Sequence, residues 1–349
     1  MQRYILFLLL AAFVTGCQIS DGEGTADTPR RVHAPKRAMY HWKNTFDASS
    51  DLELIEPYRV GRLYIRFFDV TLESNRMDNG YQAIPTATVR FINTYRFRRA
   101  ENIPEIVPTV FITPEAMAHI SRQKAVAATA QKMLQRIDNM CSYYQIPKEK
   151  VTEIQLDCDW TLSTEQAFFE LCSELRRLMP DQSLLSSTIR LHQLRKVAPP
   201  VDYGVLMLYN TNNLRNPSVK NSILSADDVS PYLRDVHYSL PLDFAYPTFS
   251  WDLWFHDGEF RGIVRSKTQT DSLRRAGEMV RHEEADFDEI VKVKRLVSRR
   301  LCKPDYHSST VLYHLDKNNL NRYTDDEKET LFGPLPDSSE GFSLLGCPL

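Results

Sequence analysis

Eight short β-rich runs separated by helical stretches constrain this chain more than any other feature. They are Ala38–Trp42, Arg62–Phe68, Ile106–Ile112, Thr152–Cys158, Leu184–Ile189, Tyr203–Tyr209, Asp243–Tyr246 and Thr310–Leu315. Regular alternation of this kind implies parallel strands, because each helix must carry the chain back to the end where the last strand began. The clearest helix spans about Arg122 to Tyr144, where Val126, Met133, Leu134, Ile137, Met140, Cys141 and Tyr144 share one face. The next opens with Ser163-x-x-Gln166, a capping-box pattern, and carries Phe168, Leu171, Cys172, Leu175 and Leu178 as its apolar stripe. The expected fold is α/β: a single (β/α)8 TIM-like barrel over residues 36–349, with its site at the C-terminal strand ends. A doubly wound sheet alternates in the same way, but its Gly-rich first turn is missing.

The barrel is preceded by an address. Residues 1–16 carry Arg3, an apolar run from Ile5 to Val14, and Thr15-Gly16 before Cys17. The run is too short to span a bilayer. Val14-Thr15-Gly16-Cys17 resembles the bacterial lipobox, in which the signal peptide is removed and the cysteine is lipidated. The resemblance makes Cys17 the lipidation site and the membrane a partner through its acyl chains, which anchor without a spanning helix. Residues 17–35 then form a tether of Gly, Ser, Thr and Pro with Asp21, Glu23 and Asp27. These early acidic residues resemble the export signals of Bacteroidetes surface lipoproteins, which places the protein at the outer membrane or cell surface.

Charge and motif content exclude several function classes. With 43 Lys+Arg against 45 Asp+Glu there is no basic surplus to neutralise phosphates, so no nucleic-acid partner is expected. The sequence holds no G-x-G-x-x-G, no P-loop, no C-x-x-C, no H-E-x-x-H and no G-x-S-x-G, so no cofactor is expected. Beyond Cys17, the cysteines Cys141, Cys158, Cys172, Cys302 and Cys347 read mostly as small buried hydrophobes, with Cys302 and Cys347 the pair if any disulfide forms. Nothing in the sequence sets an oligomeric state.

Strand parity points to a polar barrel interior. In Glu153 to Trp160 one parity is Ile, Leu, Cys and Trp, so Gln155, Asp157 and Asp159 face inward. The same rule puts Tyr64 and Arg66 inside from the second strand, and Ser186, Thr188 and Arg190 from the fifth. Arg66 and Arg190 would then neutralise the two aspartates, or flank a site built on them.

Asp157-Cys158-Asp159-Trp160 on the fourth strand and Met207-Leu208-Tyr209-Asn210 on the sixth resemble the D-x-D-x-E and M-x-Y-D motifs of the chitinase-like glycoside hydrolases. The chain is thus similar to glycosidase-like barrel lipoproteins of Bacteroidetes type. The resemblance implies a glycan partner, held by Tyr209 and Asn210, and a catalytic role for Asp157 and Asp159. It departs at two places: Thr161 stands where the general-acid Glu belongs, and Asn210 where the Asp belongs.

Other strand-end residues complete the expected site. Tyr40, His41 and Trp42 end the first strand, Trp251 follows the seventh, and Asp316 follows the eighth. Rings that stack on sugar faces, or that cap the core, would account for Trp42 and Trp251 equally. Asp159 is expected as acid or nucleophile, Asp157 as its orienting partner roughly 6.6 Å along the strand, and Glu115 or Asp316 as the second carboxylate that hydrolysis requires. The segment 251–264 alternates around Asp257-Gly258, which predicts a hairpin inserted after the seventh strand. Ala276 to Arg300 reads as one amphipathic helix. The C-terminal segment Pro334–Leu349 reads as an extension packed on the barrel. A competing arrangement uses His41, Asp157, Asp159, His192, His314 and Asp316 as metal ligands, although no H-x-H or H-x-x-x-H pair supports it. The expected function is that of a cell-envelope lipoprotein acting on a glycan, the alternative being a binder or structural protein that cuts nothing.

Overall fold

A computed structural model describes residues 33–75, 80–99, 102–264 and 266–333. The signal peptide, most of the tether, Cys347 and the segment Pro334–Leu349 lie outside the described residues, and so does the Cys302–Cys347 pairing.

All eight predicted runs are strands. They are β1 (Arg37–His41), β2 (Arg62–Asn75), β3 (Glu105–Ile112), β4 (Glu153–Cys158), β5 (Leu184–Ile189), β6 (Tyr203–Met207), β7 (Leu242–Pro247) and β8 (Thr310–Tyr313). Each pairs in parallel with the next, and β1 pairs with both β2 and β8, so the sheet closes on itself. Apolar residues of one parity, among them Leu63, Ile65, Val110, Leu156, Cys158, Leu185 and Leu206, are buried against the outer layer. That layer includes α1 (Pro114–Arg122), α2 (Val126–Tyr144), α3 (Glu165–Leu178), α4 (Phe287–Leu301) and α5 (Asp325–Phe332). Strands β5, β6 and β7 converge at Gly204, where a Cβ would lie 2.6 Å from Ile189 Cγ1 and 2.9 Å from Leu242 Cδ2. Cys141, Cys158 and Cys172 are buried as expected, and burial pushes all three thiols up, Cys141 to about 12.

Several local expectations fail for identifiable reasons. The helix expected from Arg122 to Tyr144 begins at Val126, because Lys124 takes a positive φ of 51° and separates it from α1. The Ser163 capping box does not form: Thr164 occupies the N-cap, and its hydroxyl accepts from the Thr161 amide at 3.0 Å. The stretch 276–300 is not one helix. Gly277 at φ +80° stops the preceding helix, Met279–Glu284 is a strand, and α4 starts anew where Asp286 accepts from the Glu289 amide at 2.9 Å. That strand flanks Ser250–His256 on one side, with Glu259–Val264 antiparallel on the other, joined through Asp257 and Gly258 at positive φ. A second arm has no counterpart in the sequence reading: β2 overshoots the barrel and pairs antiparallel with Gly80–Thr86.

Candidate functional site at the barrel mouth

The polar parity of β4 faces the interior in three layers. At the floor, the N-terminal end of the strands, Glu153 accepts from Ser186 Oγ and from Tyr203 Oη at 2.6 Å. In the middle, Gln155 accepts from Tyr40 Oη at 2.8 Å and donates to Ser186 Oγ at 3.2 Å. At the mouth, Asp157 Oδ1 accepts from Thr188 Oγ1 at 2.6 Å and from Arg190 Nη2 at 2.9 Å. Asp157 is thus 3% exposed and held in a charge-assisted pair, while Arg190 Nη1 is buried without a partner.

Asp159 lies one residue beyond β4, its side chain half exposed, 3.3 Å from His192 Nε2. Burial lowers the basicity of His192, against the opposing pull of Asp159. Asp159, Arg190, His192, Tyr209, Asn210, Thr211 and Tyr232 share a cleft of about 340 Å³ with Leu191 and Met207. A larger groove of about 750 Å³ runs between the starts of α2 and α3, outside the barrel wall, and no strand end contributes to it.

Beside the charged cleft the mouth is aromatic. Tyr209 stacks on Tyr313 at 4.5 Å and 19°, and Tyr313 packs edge-on against Tyr40 and Phe249. Trp42 lies against Tyr40 and Tyr313, with the Arg66 guanidinium 5.5 Å over its ring. Trp251 packs on Phe249 and donates its indole N–H to Glu283 at 2.8 Å. Burial raises the Tyr209 phenol, so it stays protonated and able to donate.

Four residues occupy places other than those expected. Arg66 does not neutralise an aspartate of β4; it makes a bidentate pair with Asp69. The cause is a bulge at Phe67, which turns Asp69 inward beside Arg66 where simple alternation would turn it out. His41 is fully buried on the outer face of β1, its ring edge-on to Phe46, and no sugar reaches it. Burial lowers its pKa to about 3, and the Asp51 carboxylate at 3.7 Å is too far to bond it. Asp316 caps the helix Lys317–Leu320 and pairs with Lys43 at 2.6 Å, which occupies its carboxylate. Glu115 is exposed in the first turn of α1, outside the cleft lining. The six residues of the metal alternative do not converge, and among the described residues no group of three or more His, Cys, Asp or Glu is placed to hold a metal.

Tyr313, Asp69 and Glu283 escaped the sequence reading. Tyr313 pairs in register with inward-facing Tyr40, so parity applied to β8 would have found it. Asp69 was hidden by the bulge, and Glu283 by the strand mistaken for helix.

The first 18 residues match the family model for the prokaryotic membrane lipoprotein lipid attachment site, which contains Cys17. The chain therefore carries a lipoprotein attachment site. No curated protein matches it in sequence. Among solved structures, a chitinase from Bacteroides thetaiotaomicron is similar at 14% identity and a TM-score of 0.54, over 86% of this chain and 97% of that one. The spore cortex-lytic enzyme SleL from Bacillus cereus is similar at 13% identity and 0.50, over 83% of this chain and 75% of that one. At such identity the likeness is one of fold: this is a lipoprotein with a glycoside-hydrolase-like barrel.

Proposed function

We propose that this lipoprotein binds a glycan at the barrel mouth, displayed at the outer membrane or cell surface through lipidated Cys17, and that binding rather than cutting is its task. The observation that carries this reading is Thr161. It occupies the position of the general acid in the motif that Asp157 and Asp159 resemble, and its hydroxyl sits 2.9 Å from Ser163 Oγ in an exposed turn. A hydroxyl with an ordinary pKa cannot protonate a leaving oxygen. The two other carboxylates proposed are a helix cap and a solvent-exposed side chain, and among the described residues that line the cleft Asp159 is the one carboxylate. What remains is equipment for holding a sugar: the rings of Trp42 and Trp251, the Tyr209 hydroxyl and Asn210. The chitinase among the similar structures makes N-acetylglucosamine oligomers the first ligands to try.

Calorimetry with the lipidated protein should give saturable binding to one member of a panel of chitin oligosaccharides, peptidoglycan fragments and plant or host glycans, without release of reducing ends. Trp42→Ala should weaken binding by about tenfold, equivalent to about 1.4 kcal/mol. Absence of binding across the panel would leave only a structural envelope role.

The half-exposed Asp159 beside His192 favours a second reading, in which Asp159 acts as the acid, Asp157 orients it, and the barrel hydrolyses its glycan. Reducing ends released by the wild type and abolished in Asp159→Asn would establish it in place of the first. Palmitate labelling that persists in Cys17→Ala would remove the anchor from both.

A further inference from the structure

The first described residue, which falls in the segment expected to be tether, is buried beneath the barrel floor. His33 is 7% exposed, its ring 4.3 Å from that of Tyr203 and 5.6 Å from that of Tyr306. Its surroundings can be sorted into donors and acceptors. Nδ1 lies 2.9 Å from the Ala34 carbonyl oxygen, which only accepts. Nε2 lies 3.1 Å from Asp243 Oδ2 and 2.8 Å from Tyr306 Oη. The Tyr306 hydroxyl has one proton for Asp243 Oδ1 at 2.9 Å and His33 Nε2 at 2.8 Å, and whichever takes it, Asp243 Oδ2 faces Nε2 as an acceptor. Asp243 Oδ1 also takes the Ser309 amide at 2.7 Å, whereas Oδ2 has no hydrogen-bonded donor unless His33 supplies one. Both imidazole nitrogens therefore face acceptors, and a neutral ring, with one N–H, leaves one acceptor unmet in a buried site.

From this geometry we infer that His33 is held as an imidazolium, and that the proton it carries latches the anchored end of the chain to the barrel floor. The pair is His33⁺ with Asp243⁻, which is itself fully buried on β7. Charged and titratable groups face it from every neighbouring element: Arg62 and Tyr64 from β2, Glu153 from β4, Tyr203 from β6 and Tyr306 from the approach to β8. Burial and Arg62 work against the charge on His33, and Asp243 outweighs them, so its pKa is raised above 6.5. The linkage then has a definite sign. The latch is at full strength below pH 6.5 and weakens as pH rises through the elevated pKa, because only the folded state still holds the proton there. Loss of the proton frees the segment His33–Lys36 first. Its remaining ties are the Lys36 amide to Ser309 Oγ at 3.1 Å and the Lys36–Glu105 ion pair.

Selective ¹⁵N-histidine labelling of the full lipidated chain in nanodiscs tests this, with His33→Gln used to assign the resonance. Both His33 nitrogens should be protonated at pH 6 and titrate together above 6.5, and Asp243→Asn should lower that titration. Hydrogen exchange on the unmodified protein covers the case in which the variants do not fold. After correction for intrinsic rates, opening of the backbone around residues 33–37 should increase by up to tenfold per pH unit from 6.5 up to the raised His33 pKa and level off above it, while α2 stays unchanged. A singly protonated ring at pH 6, or protection of 33–37 that ignores pH, would overturn the latch.

Discussion

The floor and the mouth of the barrel are built from the same residue types and do opposite things with them. At the floor, Arg62 meets Glu105 at 3.0 Å, Glu153 at 3.7 Å and Tyr203 at 3.1 Å, and Tyr64 meets Tyr203 at 2.9 Å. Arg62 and Glu153 are 2% and 1% exposed. At the mouth, Asp157 is as deeply held, but Arg190 keeps an unpaired N–H and Asp159 and His192 stand half in solvent. A polar network that satisfies itself is structure, whereas one that leaves donors and acceptors open at a cleft is equipped for a ligand.

The comparison can be broken most forcefully at the floor. Arg62→Met removes the cation from a buried cluster of Glu153 and two tyrosines and should cost about 3–5 kcal/mol, read as a shift in the urea midpoint. A loss below about 1 kcal/mol would mean that the floor is not a closed ionic unit.

His41 shows that burial near the mouth also carries a cost, expressed through pH. The folded protein keeps it neutral down to about pH 3, whereas the unfolded chain takes up a proton near 6.5. Its contribution is therefore complete above pH 6.5 and falls by up to about 1.4 kcal/mol per pH unit as the medium is acidified toward 3. In His41→Phe this slope should vanish, so urea midpoints of the two proteins, compared at neutral pH and near pH 4, should converge or cross. Parallel slopes would contradict the neutral histidine.

The smallest effect on stability is expected where the effect on ligand should be large. Asp159→Asn replaces a half-exposed carboxylate and should move the folding free energy by less than about 0.5 kcal/mol. The same variant should weaken glycan affinity measurably. A large loss of stability there would place Asp159 with the floor-type groups.

Much of this barrel was legible because strand parity is a two-residue rule that needs no tertiary information. Gln155, Asp157, Tyr64, Ser186 and Thr188 could be assigned to the interior from alternation alone. The rule fails where the backbone departs from it. One extra residue at Phe67 hid Asp69, and with it the true partner of Arg66. The contiguous run Arg281-His282-Glu283-Glu284 lacks strand alternation and was compatible with the solvated face of a helix, so Glu283 could not be seen to orient Trp251. His41 was misjudged because a histidine at a strand end reads as functional, although its parity already sent it outward. The departures at Thr161 and Asn210 were visible from the start, since they are matters of identity and not of conformation.

The pairing of β1 with β8 has a consequence for how the molecule comes into being. Tyr40 is matched with Tyr313, and the Lys36 amide reaches Ser309, across almost the whole domain. Such a seam cannot close before the last barrel strand is synthesised, and its closure carries the loop entropy of everything between. Until residues 310–313 arrive, β1 has a hydrogen-bonding neighbour on one side only. A chain stopped short of them would leave β1 and β7 as two open sheet edges.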